Sequence, residues 1–103
     1  MNCATVLYPN KEGARFDVDY YLNTHIPMVS SLLGYSIEVR RGVSSMSGPA
    51  RFLCVATIWV NSLDEFQSLM AKHGPQILGD VPNYTDIQPM LELQEVLLDG
   101  KKR

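Results

Sequence analysis

Several features that would settle the class of this protein are missing from its sequence. A helix that spans a bilayer needs about 20 consecutive apolar residues, and no apolar run approaches that length, so we expect no membrane segment. The net charge of −2 leaves no basic footprint, which argues against nucleic acid as a partner. Only two cysteines are present, both in apolar runs, and no signal-like segment precedes the first strand. This pattern indicates a reducing, cytoplasmic setting.

Most catalytic motifs are absent as well. The chain has no glycine-rich phosphate loop and no nucleophile elbow around a serine. Its two histidines, His25 and His73, have no cysteine or carboxylate at the spacing of a metal site. The sequence therefore predicts no metal and no cofactor. Cys54 lies in an apolar strand and is more typical of a core residue than of a nucleophile.

What remains is the composition of one small globular domain. A chain of 103 residues is close to the commonest domain size, and 46% of it is hydrophobic. That apolar fraction is high for so small a core, which suggests that part of it is buried against a second copy. We assign residues 1–98 to a single domain and residues 99–103 to a basic C-terminal tail.

The hydrophobic pattern predicts six elements in the order strand, helix, strand, strand, helix, strand. The strands are predicted over residues 2–8, 35–43, 52–60 and 90–98. Asp17 is the predicted N-cap of the first helix, which should be kinked by Pro27 and end at Gly34. The second helix is predicted to begin at the capping box of residues 62–65 and to end at residues 74–75.

This order is that of a ferredoxin-like βαββαβ unit, an α+β fold in which two helices cover one face of an antiparallel sheet. The strand at residues 52–60 is apolar on both faces, which is typical of a central strand that is covered on both sides. Two helices can cover only one of these faces. We therefore expect a homodimer in which two sheets pack face to face as a dimeric α/β barrel.

His25 is the residue that points most directly to function. It lies seven residues after Val18, on the apolar stripe of the first helix. An imidazole in that position is either a hydrogen-bonded part of the core or a tuned acid/base group. His73 lies with Met70 on the apolar face of the second helix, so we expect both histidines to line one cleft between helices and sheet.

Tyrosines are the natural partners for such a base. A neutral imidazole can remove a proton from a ligand while a neighbouring phenol stabilises the oxyanion that forms. Tyr20, Tyr21 and Tyr84 are candidates for that phenol, and the apolar stripe favours Tyr21 as the one that faces the sheet. Trp59 would supply an apolar wall for a greasy ligand.

Several segments resemble the EthD family of small dimeric α/β-barrel proteins. They are Phe16-Asp17, Tyr20-Tyr21, His25-Ile26-Pro27, Met28-Val29, His73-Gly74 and Asp80-Val81-Pro82-Asn83-Tyr84-Thr85. The resemblance implies the ferredoxin-like protomer, a dimer through the sheet faces, and a cleft between helices and sheet. The family pattern picks out Tyr20, Tyr21, His25, Pro27, His73, Asn83 and Tyr84. Family members resemble proteins encoded with ether-degrading oxygenase systems, and related barrels include cofactor-free monooxygenases, lactone isomerases, polyketide cyclases and decarboxylases.

Three hypotheses follow. In the first, the protein is a cofactor-free enzyme that acts on a small apolar carbonyl- or phenol-bearing molecule in a degradation or secondary-metabolite pathway. His25 is then the general base with Tyr21 or His73 as its hydrogen-bond partner, and the substrate contacts are Tyr20, Trp59, Met70, Asn83 and Tyr84. In the second, the protein binds or carries a hydrophobic metabolite for an oxygenase system without altering it. In the third, the histidines only form hydrogen bonds across the core of a structural dimer.

Overall fold

The computed structural model describes residues 1–100 and shows a four-stranded antiparallel sheet with two helices on one face. The strands are β1 (Asn2–Pro9), β2 (Ile37–Arg41), β3 (Phe52–Val60) and β4 (Met90–Glu95). The order across the sheet is β2-β3-β1-β4, so β1 and β3 are central. The α+β ferredoxin-like prediction is confirmed, as is the central position of residues 52–60. The basic residues 101–103 of the predicted tail lie outside the described residues.

The two faces of the sheet carry different side chains because successive residues of a strand alternate. On β3, Ile58 and Val60 pack into the hydrophobic core under the helices, together with Ala4 of β1. Trp59 alternates with them and lies with Thr57 on the opposite face. No helix covers this opposite face among residues 1–100, and we refer to it as the open face.

The first helix, α1, contains a wide turn. Asp17 caps it by accepting a hydrogen bond from the Tyr20 backbone N–H, as predicted. Val18–Tyr20 is α-helical, Tyr21–His25 forms a π-helical turn, and Ile26–Leu33 returns to α-helix. Pro27 is the second residue after the wide turn. Its nitrogen carries no hydrogen to donate to the preceding turn, and its ring would clash with that turn in a regular α-helix. The helix ends at Gly34, whose φ of 74° is the left-handed conformation that glycine tolerates best.

The second helix, α2, is longer than the sequence predicts. It begins after Ser62, whose side chain accepts a hydrogen bond from the Glu65 N–H, and it runs as Leu63–Asp80 through Pro75. The predicted end at residues 74–75 is wrong. The turns on either side of the proline bury Phe66 and Ile77 in the same core, and that burial outweighs the lost backbone hydrogen bond. The extra turn places Asp80 at the end of the helix, with a 3₁₀ turn of Val81–Asn83 after it.

The remaining differences are confined to strand ends. Strand β2 covers five of the nine residues predicted for it, and β4 ends at Glu95 instead of residue 98. The loop between β2 and β3 contains a tight turn that is closed by backbone hydrogen bonds between Ser45 and Gly48. Within residues 1–100, no helix combines the length and the apolar character needed to cross a membrane.

Candidate active site

A cavity lies between the two helices and the helix-covered face of the sheet. It has a volume of about 120 Å³, which is close to the ~150 Å³ of an apolar protein cavity that accepts benzene. Its walls are mainly aliphatic and include Val29, Ala56, Ile58, Met70 and Ile77. The mouth is formed by Leu78, Met90 and Leu91, which are 59%, 45% and 50% exposed. Such a partly open apolar space is suited to a small molecule with little polar surface.

His25 borders this cavity from the last position of the wide turn in α1. Its side chain is only 5% exposed. The ring stacks on Tyr21 with 5.6 Å between ring centroids and 15° between planes, and it contacts Tyr84 at 4.6 Å. These two aromatic rings fix the plane of the imidazole, so that its nitrogens have defined directions.

Asp80 holds one of the two imidazole nitrogens. The distance from His25 Nδ1 to Asp80 Oδ2 is 2.8 Å. The other carboxylate oxygen, Oδ1, accepts hydrogen bonds from the Tyr20 hydroxyl at 2.7 Å and from Asn83 Nδ2 at 2.8 Å. Burial raises the pKa of this carboxyl, but the hydrogen bonds from Tyr20, Asn83 and His25 outweigh burial and leave the pKa below its ordinary value. Asp80 is therefore ionised at neutral pH.

The other imidazole nitrogen, His25 Nε2, faces no protein partner. No hydrogen bond to Nε2 is formed within residues 1–100. Every fully enclosed side-chain nitrogen or oxygen of those residues has a hydrogen-bond partner. Because Nε2 has none, it must retain accessible surface. We infer that this surface faces the cavity, which is the space that His25 borders. A carboxylate that accepts the Nδ1 hydrogen selects the neutral tautomer whose Nε2 lone pair is available as a base.

A cluster of phenols closes the same end of the cavity. Tyr8 of β1 and Tyr84 are 2.6 Å apart between their hydroxyl oxygens, and both side chains are almost completely buried. Tyr21 packs against both rings, with centroid distances of 5.6 and 5.0 Å. Burial raises the pKa of all three phenols above the ordinary value, so they are neutral hydrogen-bond donors at neutral pH.

Cys54 lies next to this cluster on β3. The thiol is buried, and burial raises its pKa to about 11. A thiolate is the reactive form of cysteine, so Cys54 is a core residue, in agreement with the sequence prediction. Cys3, on the open face, is buried as well.

The structure brings most of the predicted site residues together. Tyr21, His25 and Met70 line the cavity. Tyr20 and Asn83 do not line it but donate hydrogen bonds to Asp80. Tyr84 does not line it either, and its ring packs against the His25 imidazole. The preference for Tyr21 over Tyr20 as the core-facing residue is confirmed by their burial.

The structure places two of the predicted residues away from this cavity. Trp59 does not form a wall of the cavity, because strand alternation turns it to the open face. His73 is half-buried on α2 but does not line the cavity, so the structure does not place the two histidines in one cleft. The apolar face of α2 instead presents Phe66, Met70 and Ile77 to the cavity.

Asp80 and Tyr8 are the residues that the sequence reasoning missed. A helix that ends at Pro75 leaves Asp80 in a loop, and no local pattern indicates that the helix continues. For Tyr8 the signal is in the sequence, because Tyr8 alternates with Ala4 and Val6 and so must share their face. Among residues 1–100, no group of three or more histidine, cysteine, aspartate or glutamate side chains is placed to hold a metal ion.

Comparison with known proteins identifies the family. The model of the EthD domain matches residues 13–88. The crystal structure of an EthD-like protein from Ralstonia eutropha JMP134 is 37% identical, covers 99% of this chain and 96% of its own, and superimposes with a TM-score of 0.92. No curated protein sequence is similar enough to count as a match.

More distant structures share the fold alone. An EthD family protein from Bacillus halodurans C-125 is 20% identical, with 94% of this chain and 99% of the other covered and a TM-score of 0.68. A protein from Agrobacterium tumefaciens is 21% identical over 92% of each chain, with a TM-score of 0.55. The domain match and the 37% identical relative together decide the question: this chain belongs to the EthD family.

Proposed function

We propose that this protein is an enzyme that removes a proton from a small apolar ketone or phenol, with His25 as the general base and without a bound cofactor. The observation that carries the proposal is the position of His25 between the ionised Asp80 carboxylate and the cavity. Nδ1 is 2.8 Å from the carboxylate, and Nε2 forms no hydrogen bond to any of residues 1–100. A base so oriented does not need to reorganise before it accepts a proton.

Asp80 supports this role in two ways. It fixes the tautomer of the neutral imidazole, and its negative charge stabilises the imidazolium that forms when Nε2 accepts a proton. The carboxylate is itself held by Tyr20 and Asn83. The base and its orienting group are therefore supported by side chains from α1, α2 and the turn that follows α2.

The cavity indicates the class of substrate. Its volume of about 120 Å³ and its aliphatic walls suit a molecule on the scale of a substituted benzene ring. The polar groups that border it are few and include His25, Tyr8 and Tyr21. A substrate with one polar edge, which carries both an acidic hydrogen and an oxygen, satisfies these groups and leaves the rest of its surface apolar.

We also propose that two copies pack through their open faces. This face includes the apolar side chains of Leu7, Val55 and Trp59 around a concavity of about 490 Å³, and Leu98 borders it while being 89% exposed. Leu7, Val55 and Trp59 are half-buried in the protomer, so a second sheet packed on this face would bury further apolar surface. Replacing Val55 with lysine should halve the mass measured by sedimentation, while Val55→Thr should not; an unchanged mass for the lysine variant would contradict the dimer.

Proton exchange gives a direct test of the proposed reaction. Phenylacetone in deuterium oxide exchanges its activated methylene hydrogens when a base removes them, and proton NMR follows the loss of the signal. We expect the protein to accelerate this exchange and the His25→Gln variant to be slower by about 10²–10⁴-fold, the usual contribution of a positioned general base. His73→Gln is the matched control, because His73 does not border the cavity.

The alternative hypotheses predict different outcomes. A binder retains phenylacetone without exchange, and native mass spectrometry then shows an unaltered ligand in both the parent protein and His25→Gln. A purely structural histidine gives neither binding nor exchange, and His25→Gln only lowers the melting temperature. Exchange by His25→Gln at the rate of the parent would eliminate His25 as the base.

A further inference from the structure

The phenol cluster beside His25 contains a donor that proton removal by His25 does not use. Tyr8 borders the cavity, whereas its partner Tyr84 is completely enclosed and does not. The two hydroxyl oxygens are 2.6 Å apart, and the geometry alone allows either to be the donor. Which of them donates decides whether a hydrogen is available to a ligand.

The surroundings determine the direction of this hydrogen bond. A phenol donates one hydrogen bond and can accept two. The Tyr84 hydroxyl has no other hydrogen-bond partner within residues 1–100. If Tyr8 donated, the Tyr84 hydrogen would be buried without an acceptor, which is the costly arrangement. Tyr84 therefore donates to Tyr8.

Electrostatics within the cluster agree with this direction. Burial raises the pKa of both hydrogen-bonded phenols, but the bond between them acts on the two in opposite senses. It lowers the pKa of Tyr8 and raises the pKa of Tyr84. Tyr8 is thus the acceptor of the Tyr84 hydrogen, and its own hydrogen has no acceptor in the described part of the chain.

We propose that the Tyr8 hydroxyl donates a hydrogen bond to the oxygen of the bound phenol or enolisable ketone, and that it stabilises the oxyanion left when His25 removes the proton. This inference rests on the proposed function and adds the second group that the reaction needs. The substrate O–H or C–H bond breaks, and its proton goes to Nε2. The electron pair becomes the charge on the oxygen at Tyr8, and the imidazolium is balanced by Asp80. Atoms and charge are conserved, and no oxidant or reductant takes part.

The cluster is suited to this task because it is arranged before any ligand binds. Tyr84 directs its hydrogen to the Tyr8 oxygen, which strengthens Tyr8 as a donor, and the Tyr21 ring packs against both phenols. Donors fixed toward a developing oxyanion in a water-poor cavity are the usual source of such stabilisation. Tyr8 would be a catalytic residue, whereas Tyr84, which does not border the cavity, would be a positioning residue.

The experiment uses 4-nitrophenol, whose absorption differs between the phenol and the phenolate. Binding to the full-length protein is measured below the phenol's own pKa, and nitrobenzene, which lacks the hydroxyl, reports on the cavity itself. We expect the parent protein to bind the phenolate form. Tyr8→Phe should bind it about ten- to a hundredfold more weakly, the range for a hydrogen bond to a charged group. Nitrobenzene affinity should not change.

Two further variants keep the test decisive. Tyr35→Phe is the matched control, because Tyr35 is also buried but donates to Glu65 and does not line the cavity. Tyr84→Phe leaves Tyr8 in place and should weaken phenolate binding by about threefold or more; it replaces Tyr8→Phe if that variant fails to fold.

Each result separates this inference from the proposed function. Loss of phenolate binding in Tyr8→Phe, with nitrobenzene binding retained, supports the role of Tyr8. Equal phenolate binding by Tyr8→Phe and the parent would overturn it, as would a parent protein that binds only neutral 4-nitrophenol or none. None of these results bears on His25, whose role is decided by the exchange of phenylacetone.

Discussion

Replacing Asp80 with asparagine should remove the basic function of His25 while leaving the fold in place. The two side chains have the same shape. In the parent protein the Tyr20 hydroxyl and Asn83 Nδ2 lie 2.7 and 2.8 Å from Asp80 Oδ1, and the asparagine oxygen of the variant can still accept both hydrogen bonds. The amide nitrogen, however, would face His25 Nδ1 and donate to it. The imidazole hydrogen must then move to Nε2, so that the nitrogen at the cavity becomes a donor and can no longer accept a proton.

The size of the effect follows from the contacts of the carboxylate. Hydrogen bonds to a charged group contribute about 1.5–3 kcal/mol and neutral ones about 0.5–1.5 kcal/mol, so weakening the two bonds to Oδ1 costs about 2 kcal/mol. Relief of the buried charge offsets part of this cost. We expect a net loss of about 1–2 kcal/mol, with roughly 4–8 °C in melting temperature for each kcal/mol. The exchange rate should fall by about 10²–10⁴-fold.

The pH dependence of stability provides an independent check. The pKa of Asp80 in the folded protein lies below its ordinary value, so the stabilisation from its charge is complete above the unfolded value of about 3.9 and is lost as the pH falls through the folded value. The difference in melting temperature between the parent and Asp80→Asn should therefore shrink as the solution is acidified below about pH 4.

Nitrogen NMR of the imidazole decides whether the reasoning about the tautomer is correct. Long-range proton–nitrogen correlations distinguish a protonated Nδ1 from a protonated Nε2. We expect Nδ1 to carry the hydrogen of the neutral His25 imidazole in the parent protein, and Nε2 to carry it in Asp80→Asn. A variant that keeps the parent tautomer, or that exchanges phenylacetone at the parent rate, would refute the role assigned to Asp80.

Three other predictions concern the fold and the cavity. Gly42→Ala should destabilise the protein by about 3 kcal/mol or more in urea titrations, because the new Cβ would collide with the Phe52 carbonyl oxygen. Gly79→Ala on α2 should instead stabilise the protein by about 0.5–1 kcal/mol, because a Cβ at that position would meet no described atom within 4 Å. All five tyrosines have raised pKa values, so the free energy of unfolding should fall as the pH rises above about 10. Tyrosinate absorbance should then appear together with unfolding. Stepwise ionisation of tyrosines in a folded protein would contradict this. Ala56→Leu should fill the cavity floor and abolish nitrobenzene binding with little loss of helical circular dichroism.

The fold was accessible from the sequence because its signals are local. Periodicity placed the central strand at residues 52–60, and Asp17 and Gly34 marked the two ends of α1. The same alternation also assigns Trp59 to the open face once Ile58 and Val60 are known to lie under the helices. The sequence pattern is therefore sufficient to place Trp59 on that face.

The site was less accessible because its decisive contact is not local. Asp80 lies 55 residues after His25, and nothing in the spacing of the two residues predicts that they meet. The contact depends on α2 continuing through Pro75, where a local rule favours termination. Burial of Ile77 beyond the proline overrides that rule, and a burial of this kind becomes visible only when the packing partners are known.

The wide turn in α1 explains how one proline organises the site. The buried residues of this helix are Tyr21, His25, Val29 and Leu33, each four positions after the last. In a regular α-helix each four-residue step drifts by about 40° around the axis, so four such residues would spread over about 120° of the helix surface. A π-helical turn rotates less per residue than an α-helical turn, so the step between Tyr21 and His25 drifts in the opposite sense. This keeps Tyr21 stacked on His25 and aligns both with Val29 and Leu33. The turn that accommodates Pro27 is thus the same feature that directs the imidazole toward both Asp80 and the cavity.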